Sequence, residues 1–290
     1  MSGASKIGSA KIGTCSWNYE SWVGLIYSEP SRTAAGYLPE YSKRFRTAEV
    51  DSWFYRLPER RDVLDYLRQV DEGFTFTVKV PEDISLTHLR NRGGGVLVPN
   101  PSFLSPELFG RYLERIEPML PRIDAVMLEF EYLNRDKMRS VDEFMKALDA
   151  FAAKAPKGVP LAVETRNKNY LVEEYFRFLK ERGLIHVFSE KIYLPHVYEL
   201  YAKFGSLVEG TTVIRLLGGD RAEIEKAAGG RWDRIVDEKP DKGRIAEMSL
   251  DLKYRGGKVV VNINNHYEGS APITARFFEE AFGEASGAGG

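Results

Sequence analysis

Five apolar stretches of this chain run into charged or amide side chains at their downstream ends: TAEVDS (47–52), FTFTVKVP (74–81), PLAVETR (160–166), TVIRL (212–216) and VVVNINN (259–265). Short runs of Val, Ile, Phe and Ala read as strands buried on both faces, the condition of a parallel sheet covered by helices. Polar residues at the C-terminal ends of several such strands mark the place where parallel α/β folds build their sites. The pattern fixes where chemistry sits, without naming a reaction.

Side chains alternate in direction along a strand. Ala48 and Val50 therefore oppose Glu49 and Asp51, and Phe74, Phe76, Val78 and Val80 oppose Thr75, Thr77 and Lys79. Leu161 and Val163 oppose Ala162, Glu164 and Arg166. Ile214 and Leu216 oppose Val213 and Arg215, and Val259, Val261 and Ile263 oppose Asn262 and Asn264. Aliphatic faces suit a layer of helices. The polar faces must converge on one another, because each unpaired buried polar group costs about 1–3 kcal/mol. A closed barrel with a polar mouth meets that demand.

Strands are expected near 12–15, 47–52, 74–80, 125–130, 161–165, 185–189, 212–217 and 259–264. Helical patterns lie near 34–45, 59–71, 106–119, 141–155, 170–182, 241–254 and 271–282. Ser105-Pro106-Glu107 reads as a helix start, Ser140 with Glu143 has capping-box spacing, and Gly183 reads as a helix stop. Eight alternating units predict a single (β/α)8 TIM-type barrel over 11–283 with elaborated loops, flanked by disordered tails at 1–10 and 284–290. The length of 290 residues suits one such domain, which takes about 250. Stretches 81–104, 190–211 and 218–240 fall outside the repeat. The first, with Arg90, Arg92 and a triple glycine, reads equally as a lid or phosphate-contacting loop and as a surface connection. It is neither a P-loop nor a dinucleotide fingerprint.

Composition narrows the classes. The chain is 43% hydrophobic and 29% charged, with net charge −1, so nothing pulls it as a whole toward nucleic acid or anionic lipid. No apolar run is long enough for a membrane helix, and the N-terminus has no signal-peptide core. Lone Cys15 excludes an internal disulfide and a Cys-based zinc site. The expected compartment is the cytoplasm.

The ordered motifs IGTCSWNYESWVG with Tyr27, RFRTAEVDSWFYRLP, FTFTVKVPEDISLTH, LAVETR and VVVNINNHYEGSAP together span nearly the whole chain. In this order they resemble the YecE-like family, also called domain of unknown function 72. The resemblance implies a TIM-type barrel with these segments at one end, and no established reaction. The family has been likened to metal-dependent sugar isomerases and to apurinic endonucleases of the same barrel type, an analogy of fold alone. The chain departs from the pattern at Cys15-Ser16, where Ser-Gly is expected, at Asp51, usually Asn, and at Glu129, often Gln.

The candidate catalytic set is Glu49, Asp51, Lys79 and Glu164: paired carboxylates for acid–base work, and a lysine whose pKa could fall in a low-dielectric barrel to make it a base or Schiff-base nucleophile. Arg166 and Arg215 are expected to hold an anion bidentately, with Arg166 paired to Glu49 or Asp51 across the barrel. Tyr55, His88, Asn264, Asn265 and His266 complete the expected substrate-binding set; against this, a loop histidine is often solvated and Asn264–Asn265 could simply form a turn. His186 and His196 read as structural. Counting Glu49, Asp51, Glu129, Glu131 and Glu164 against Lys79, Arg166 and Arg215 leaves a negative balance that could recruit Mg²⁺ or Mn²⁺; no spacing supports zinc, and no cofactor is assigned. The expected activity is hydrolase-, lyase- or isomerase-type acid–base chemistry on a small phosphorylated or carboxylated metabolite. A nucleic-acid-binding or endonuclease-like repair protein is the rival, using Arg90, Arg92 and the aromatic rim, and a non-catalytic ligand sensor is the third reading.

Overall fold

The computed structural model describes residues 7–90 and 96–283. Eight strands alternate with helices in the order β1 (Ser9–Thr14), α1 (Ala34–Arg44), β2 (Thr47–Val50), α2 (Arg60–Arg68), β3 (Thr75–Lys79), α3 (Glu82–Ser85), α4 (Pro106–Ile116), β4 (Ile123–Glu129), α5 (Val141–Lys154), β5 (Leu161–Glu164), α6 (Glu173–Arg182), β6 (Ile185–Lys191), α7 (Val197–Phe204), β7 (Thr211–Gly218), α8 (Arg221–Ala228), α9 (Lys242–Tyr254), β8 (Lys258–Ile263) and α10 (Ala271–Ala281). The strands form one parallel sheet in the order β1-β8-β7-β6-β5-β4-β3-β2. Its ends meet at a parallel bridge between Cys15 and Glu49, where Ser16 N–H donates to the Glu49 carbonyl at 3.1 Å. Gly13 lets β1 and β2 come this close: a Cβ there would lie 2.2 Å from the Thr47 carbonyl oxygen. The result is the (β/α)8 TIM-type barrel that the strand pattern requires.

The expected helix signals act as read. Ser105 Oγ accepts from Leu108 N–H, Ser140 Oγ accepts from Glu143 N–H, and Gly183 ends α6 with φ 63°. Three boundaries differ. Strand β1 begins at Ser9, so 9–10 belong to the barrel and not to a tail; the remaining tail residues, 1–6 and 284–290, lie outside the described residues. Stretch 190–211 is no insert, because α7 buries Val197, Tyr198 and Leu200 in the ordinary place after β6. Stretch 218–240 carries α8, capped by the Asp220 carboxylate. Both helices have eight residues, too few for the 3.6-residue period to stand out in sequence. In 81–104, a short antiparallel pairing joins His88 to Pro99, while Arg92 and the triple glycine lie outside the described residues.

Aliphatic strand faces pack outward under the helices in one large core. Inside the barrel the side chains form three levels. At the N-terminal end Asp124, at a register break in β4, accepts from Lys11 at 3.0 Å, Lys258 at 3.1 Å and the Thr75 hydroxyl at 2.6 Å. Above it Ala125, Met127, Ala162, Val187 and Val213 make a small apolar plug. The charged side chains stand above the plug, at the C-terminal mouth. The plug is not foreseeable from the polar strand ends, and it closes the floor of the site.

Ser16 turns out of β1 with φ 67°, the left-handed region, which costs an L-residue about 1–2 kcal/mol. This is the position where the family pattern expects glycine. Ser16→Gly should raise stability by up to about 1 kcal/mol after the added freedom of the unfolded chain is subtracted. Urea midpoints of the two proteins at equal m-value check it; a drop would show that the Ser16 hydroxyl, which donates to Asn18 Oδ1 at 2.6 Å, outweighs the backbone cost.

Candidate active site at the barrel mouth

Arg215, 2% exposed, is the centre of the mouth. Its Nε and Nη2 clasp both oxygens of Glu49 at 2.8 and 2.7 Å, and Nη1 reaches Glu164 at 2.5 Å and Glu129 at 3.0 Å. One guanidinium from β7 thus ties β2, β4 and β5 together. Burial lowers its proton affinity, but the three carboxylates raise the pKa well above its ordinary value. Ser189 from β6 donates to Glu164 at 2.6 Å, and Asn262 from β8 spans Glu49 at 3.4 Å and the Thr77 hydroxyl at 2.8 Å.

Arg166 does not pair with Glu49 or Asp51. It holds Glu164 at 2.8 Å and Glu129 at 3.1 Å instead, because Arg215 already saturates Glu49. Its Nη1 is buried with no acceptor. Lys79 donates to Glu129 at 3.0 Å and stands 3.9 Å from Glu49. Burial favours the neutral amine of Lys79, yet Glu129, Glu49 and Asp51 outweigh it and the pKa lies above its ordinary value. The lowered pKa expected of Lys79 is thus not what its surroundings favour: Glu129 beside it supports the ammonium form. Burial alone would raise the Glu129 pKa, but Lys79, Arg166 and Arg215 hold it well below the carboxylate range. Cys15 is a buried thiol pushed up by burial and by Glu49.

Asp51 differs from its neighbours. It is half-buried just past β2 and makes no ion pair among the described residues; burial raises its pKa, with Glu49 adding to the shift and Lys79 and Arg215 opposing it. A carboxyl of this kind can carry a proton nearer neutral pH than an ordinary aspartate.

The remaining expected residues divide into two groups. Tyr55, 70% exposed, and His88 line a cavity of about 490 Å³ whose inner wall includes Glu129 and Arg166. Asn264, Asn265 and His266 build the turn after β8 instead. Asn264 Oδ1 accepts from His266 N–H at 2.9 Å, His266 Nε2 lies 3.1 Å from Glu225, and buried Asn265 Oδ1 accepts from Ala271 N–H at 2.9 Å, at the start of α10. The structure thus places them in a turn, where short amide side chains satisfy nearby backbone. His186 is buried against Tyr175 and Phe176, with its pKa lowered to about 3 by burial. Arg90 pairs with Glu82.

The negative balance counted from sequence narrows to one. Glu131 is taken by Lys137 at 2.5 Å, and Glu49, Glu129 and Glu164 face Lys79, Arg166 and Arg215 in equal number, which leaves Asp51 over. Among the described residues no three His, Cys, Asp or Glu side chains are grouped to hold a cation. Glu49, Glu129 and Glu164 are each already engaged by an arginine or lysine. No helix among the described residues is long and apolar enough to cross a membrane.

The family model described as "Protein of unknown function DUF72" matches residues 11–288. The chain belongs to the DUF72 family. UPF0759 protein YecE of Escherichia coli (strain K12) is 28% identical over 119 residues, an alignment covering 41% of this chain and only 36% of that protein. The crystal structure of a DUF72 protein from Enterococcus faecalis V583 is similar at TM-score 0.69 and 18% identity, covering 95% of this chain and 96% of the other. A DUF72 protein from Thermotoga maritima MSB8 is similar at TM-score 0.67 and 21% identity, covering 94% and 99%. These likenesses concern fold.

Two polar groups at this DUF72 mouth escaped sequence reading, Ser189 and Lys191. The stretch IHVFSEK carries one run of bulky residues and no clear alternation before Ser189, so its inward side was not legible. Counting by twos from Val187 would have found both.

Two outcomes follow for stability. Above its ordinary pKa the buried Asp51 charge costs stability; because the folded-state pKa is raised, that cost vanishes as pH falls below the unfolded value of about 3.9. Asp51→Asn should therefore raise the melting temperature at pH 7–8, with the gain fading toward pH 3. Melts across that range check it, and a loss at neutral pH would mean that Asp51 is a structural charge. Arg215→Met should cost at least about 3–5 kcal/mol, because it strands Glu49 and Glu164 in a dry interior; denaturant unfolding measures it.

Proposed function

We propose that this DUF72 protein is an enzyme that carries out acid–base chemistry on a small phosphorylated or carboxylated metabolite at the barrel mouth. One observation carries the reading: Arg166, which lines the 490 Å³ cavity, has a buried Nη1 with no protein acceptor. An unmet buried donor costs about 1–3 kcal/mol, and an anionic oxygen would recover it with a charge-assisted hydrogen bond. His88 and Lys137 line the same cavity and add donors.

Within this reading Asp51 is the group that gives and takes a proton, since its raised pKa brings it nearer working pH. Glu129 stays ionised, and Lys79 and Arg215 hold fixed positive charge beside it to stabilise negative charge developing on the substrate. The aromatic rim of Phe54 and Tyr55 shields the cavity. The cytoplasm remains the proposed compartment.

A thermal-shift screen with phosphate esters and sugar acids tests the proposal. A ligand at 100 times its Kd should stabilise the protein by about 2.7 kcal/mol, a rise of roughly 5 °C, and Arg166→Met should abolish the response while the protein still folds. Oligonucleotide binding measured in parallel at two salt concentrations decides the rival. Tight binding with a log–log slope near −0.9 per phosphate, beside a silent metabolite screen, would replace the enzyme with a nucleic-acid protein. A bound metabolite that is never turned over would make the protein a sensor.

A further inference from the structure

Lys191 ends β6 on the same side as Ser189, and its amine pairs with no carboxylate among the described residues. Lys79, Lys137, Lys239 and Lys242 hold Glu129, Glu131, Asp237 and Glu268 respectively. The half-buried Lys191 accepts from Leu194 N–H through its carbonyl, but its amine makes no hydrogen bond or ion pair among the described residues. Its neighbour Glu190, which could have neutralised it, is committed to His196 at 2.7 Å and to the Val197 N–H at 2.9 Å. Lys191 lines a second cavity of about 400 Å³ past the ends of β6 and β7, beside Gly218, Tyr193 and Tyr267, which shares no lining residue with the 490 Å³ cavity. Two features are built around this point: a register shift in the β6–β7 pairing, where Leu217 is skipped between the partners of Glu190 and Lys191, and a left-handed backbone at Tyr193 with φ 72°. Bulges and strained residues near a strand end re-aim side chains and gather at functional sites.

We propose that Lys191 is the nucleophilic amine of this site and attacks the carbonyl carbon of an aldehydo or keto anion, so that the substrate class is a carbonyl-bearing phosphate or carboxylate that reacts through a Schiff base. The inference rests on the reading of the mouth as an anion site and narrows it. Burial, followed by the positive charge of Arg166, lowers the Lys191 pKa, which raises the fraction of free amine. The balance is complete without an outside reagent. The amine nitrogen forms a bond to the carbonyl carbon, the ammonium form gives up two protons in all, and the carbonyl oxygen leaves with them as water. The product is a protonated imine that carries the positive charge of the original ammonium. That imine draws electrons from the adjacent carbon, whose proton the ionised form of Asp51 can accept.

The test is reductive trapping on the intact protein with cyanoborohydride, using dihydroxyacetone phosphate and pyruvate as probes and glycerol 3-phosphate and lactate as carbonyl-free controls. Melting shifts are recorded for all four. The expected result is a mass gain equal to one carbonyl probe less one oxygen atom, mapped by peptide sequencing to Lys191. It should be absent with the controls and lost in Lys191→Arg. Because Lys191 has no partner to lose, that variant should melt with the native protein; the peptide map of the native protein stands even if it does not. Labelling of Lys191 by a limiting acylating reagent should also reach half its maximal rate at a lower pH than the surface lysines. Probes that shift the melt without an adduct at Lys191, or with adducts spread over surface lysines or at Lys79, would overturn the Schiff-base role and leave the anion site standing. Neither shift nor adduct with any of the four would overturn both.

Discussion

The bidentate clasp of Glu49 by Arg215 is the interaction on which the rest of the mouth depends. It runs across the barrel from β7 to β2 at 2.7–2.8 Å, and the same guanidinium reaches β4 and β5 through Glu129 and Glu164. By filling Glu49 it sends Arg166 to the other two carboxylates. That leaves Lys79 to Glu129, and Arg166 with one donor over. Removing water from six charged groups is costly, and such layers seldom stabilise a fold more than apolar packing would. A layer of this kind is better understood as presenting charge than as holding the barrel together, a task the aliphatic faces and the apolar plug already perform.

Dryness below and access above give the layer its character. Ala125, Met127, Ala162, Val187 and Val213 separate it from the Asp124 cluster at the opposite end, so the charges meet a low-dielectric floor. There Coulomb interactions are stronger than at the surface. This explains why neighbouring groups are driven in opposite directions. Glu129, touched by three cations, is held well below the carboxylate range, whereas Asp51, desolvated and without an ion pair, is pushed up. Lys79, touched by Glu129, is raised, whereas Lys191, without a carboxylate, is lowered. Pairs of like groups pushed apart by their surroundings are the means by which one site both gives and accepts protons.

The departures from the family pattern fall on this same layer. Glu129 supplies an oxygen to each of Lys79, Arg166 and Arg215, so an amide there would remove the charge that holds all three. Asp51 adds a carboxyl at the edge of the mouth. Ser16 occupies a left-handed turn that glycine fits better. The first two bear on the chemistry of the mouth and the third on the backbone of β1.

Sequence alone determined the barrel, the helix caps at Ser105, Ser140 and Gly183, and the inward direction of Glu49, Lys79, Glu164, Arg166 and Arg215. Each follows from a local rule: strand alternation has period two, and caps need particular side chains at fixed offsets. Tertiary structure decided who pairs with whom. Ion pairing across a closed barrel depends on the stagger of eight strands and on side-chain reach, neither of which is local. Arg166 therefore fell to Glu164 and Glu129, Glu131 was drawn away to Lys137, and Asn265 was used as a cap. The same distribution set Lys79 against Glu129 and left Lys191, at the end of a strand with little visible alternation, without an ion pair among the described residues.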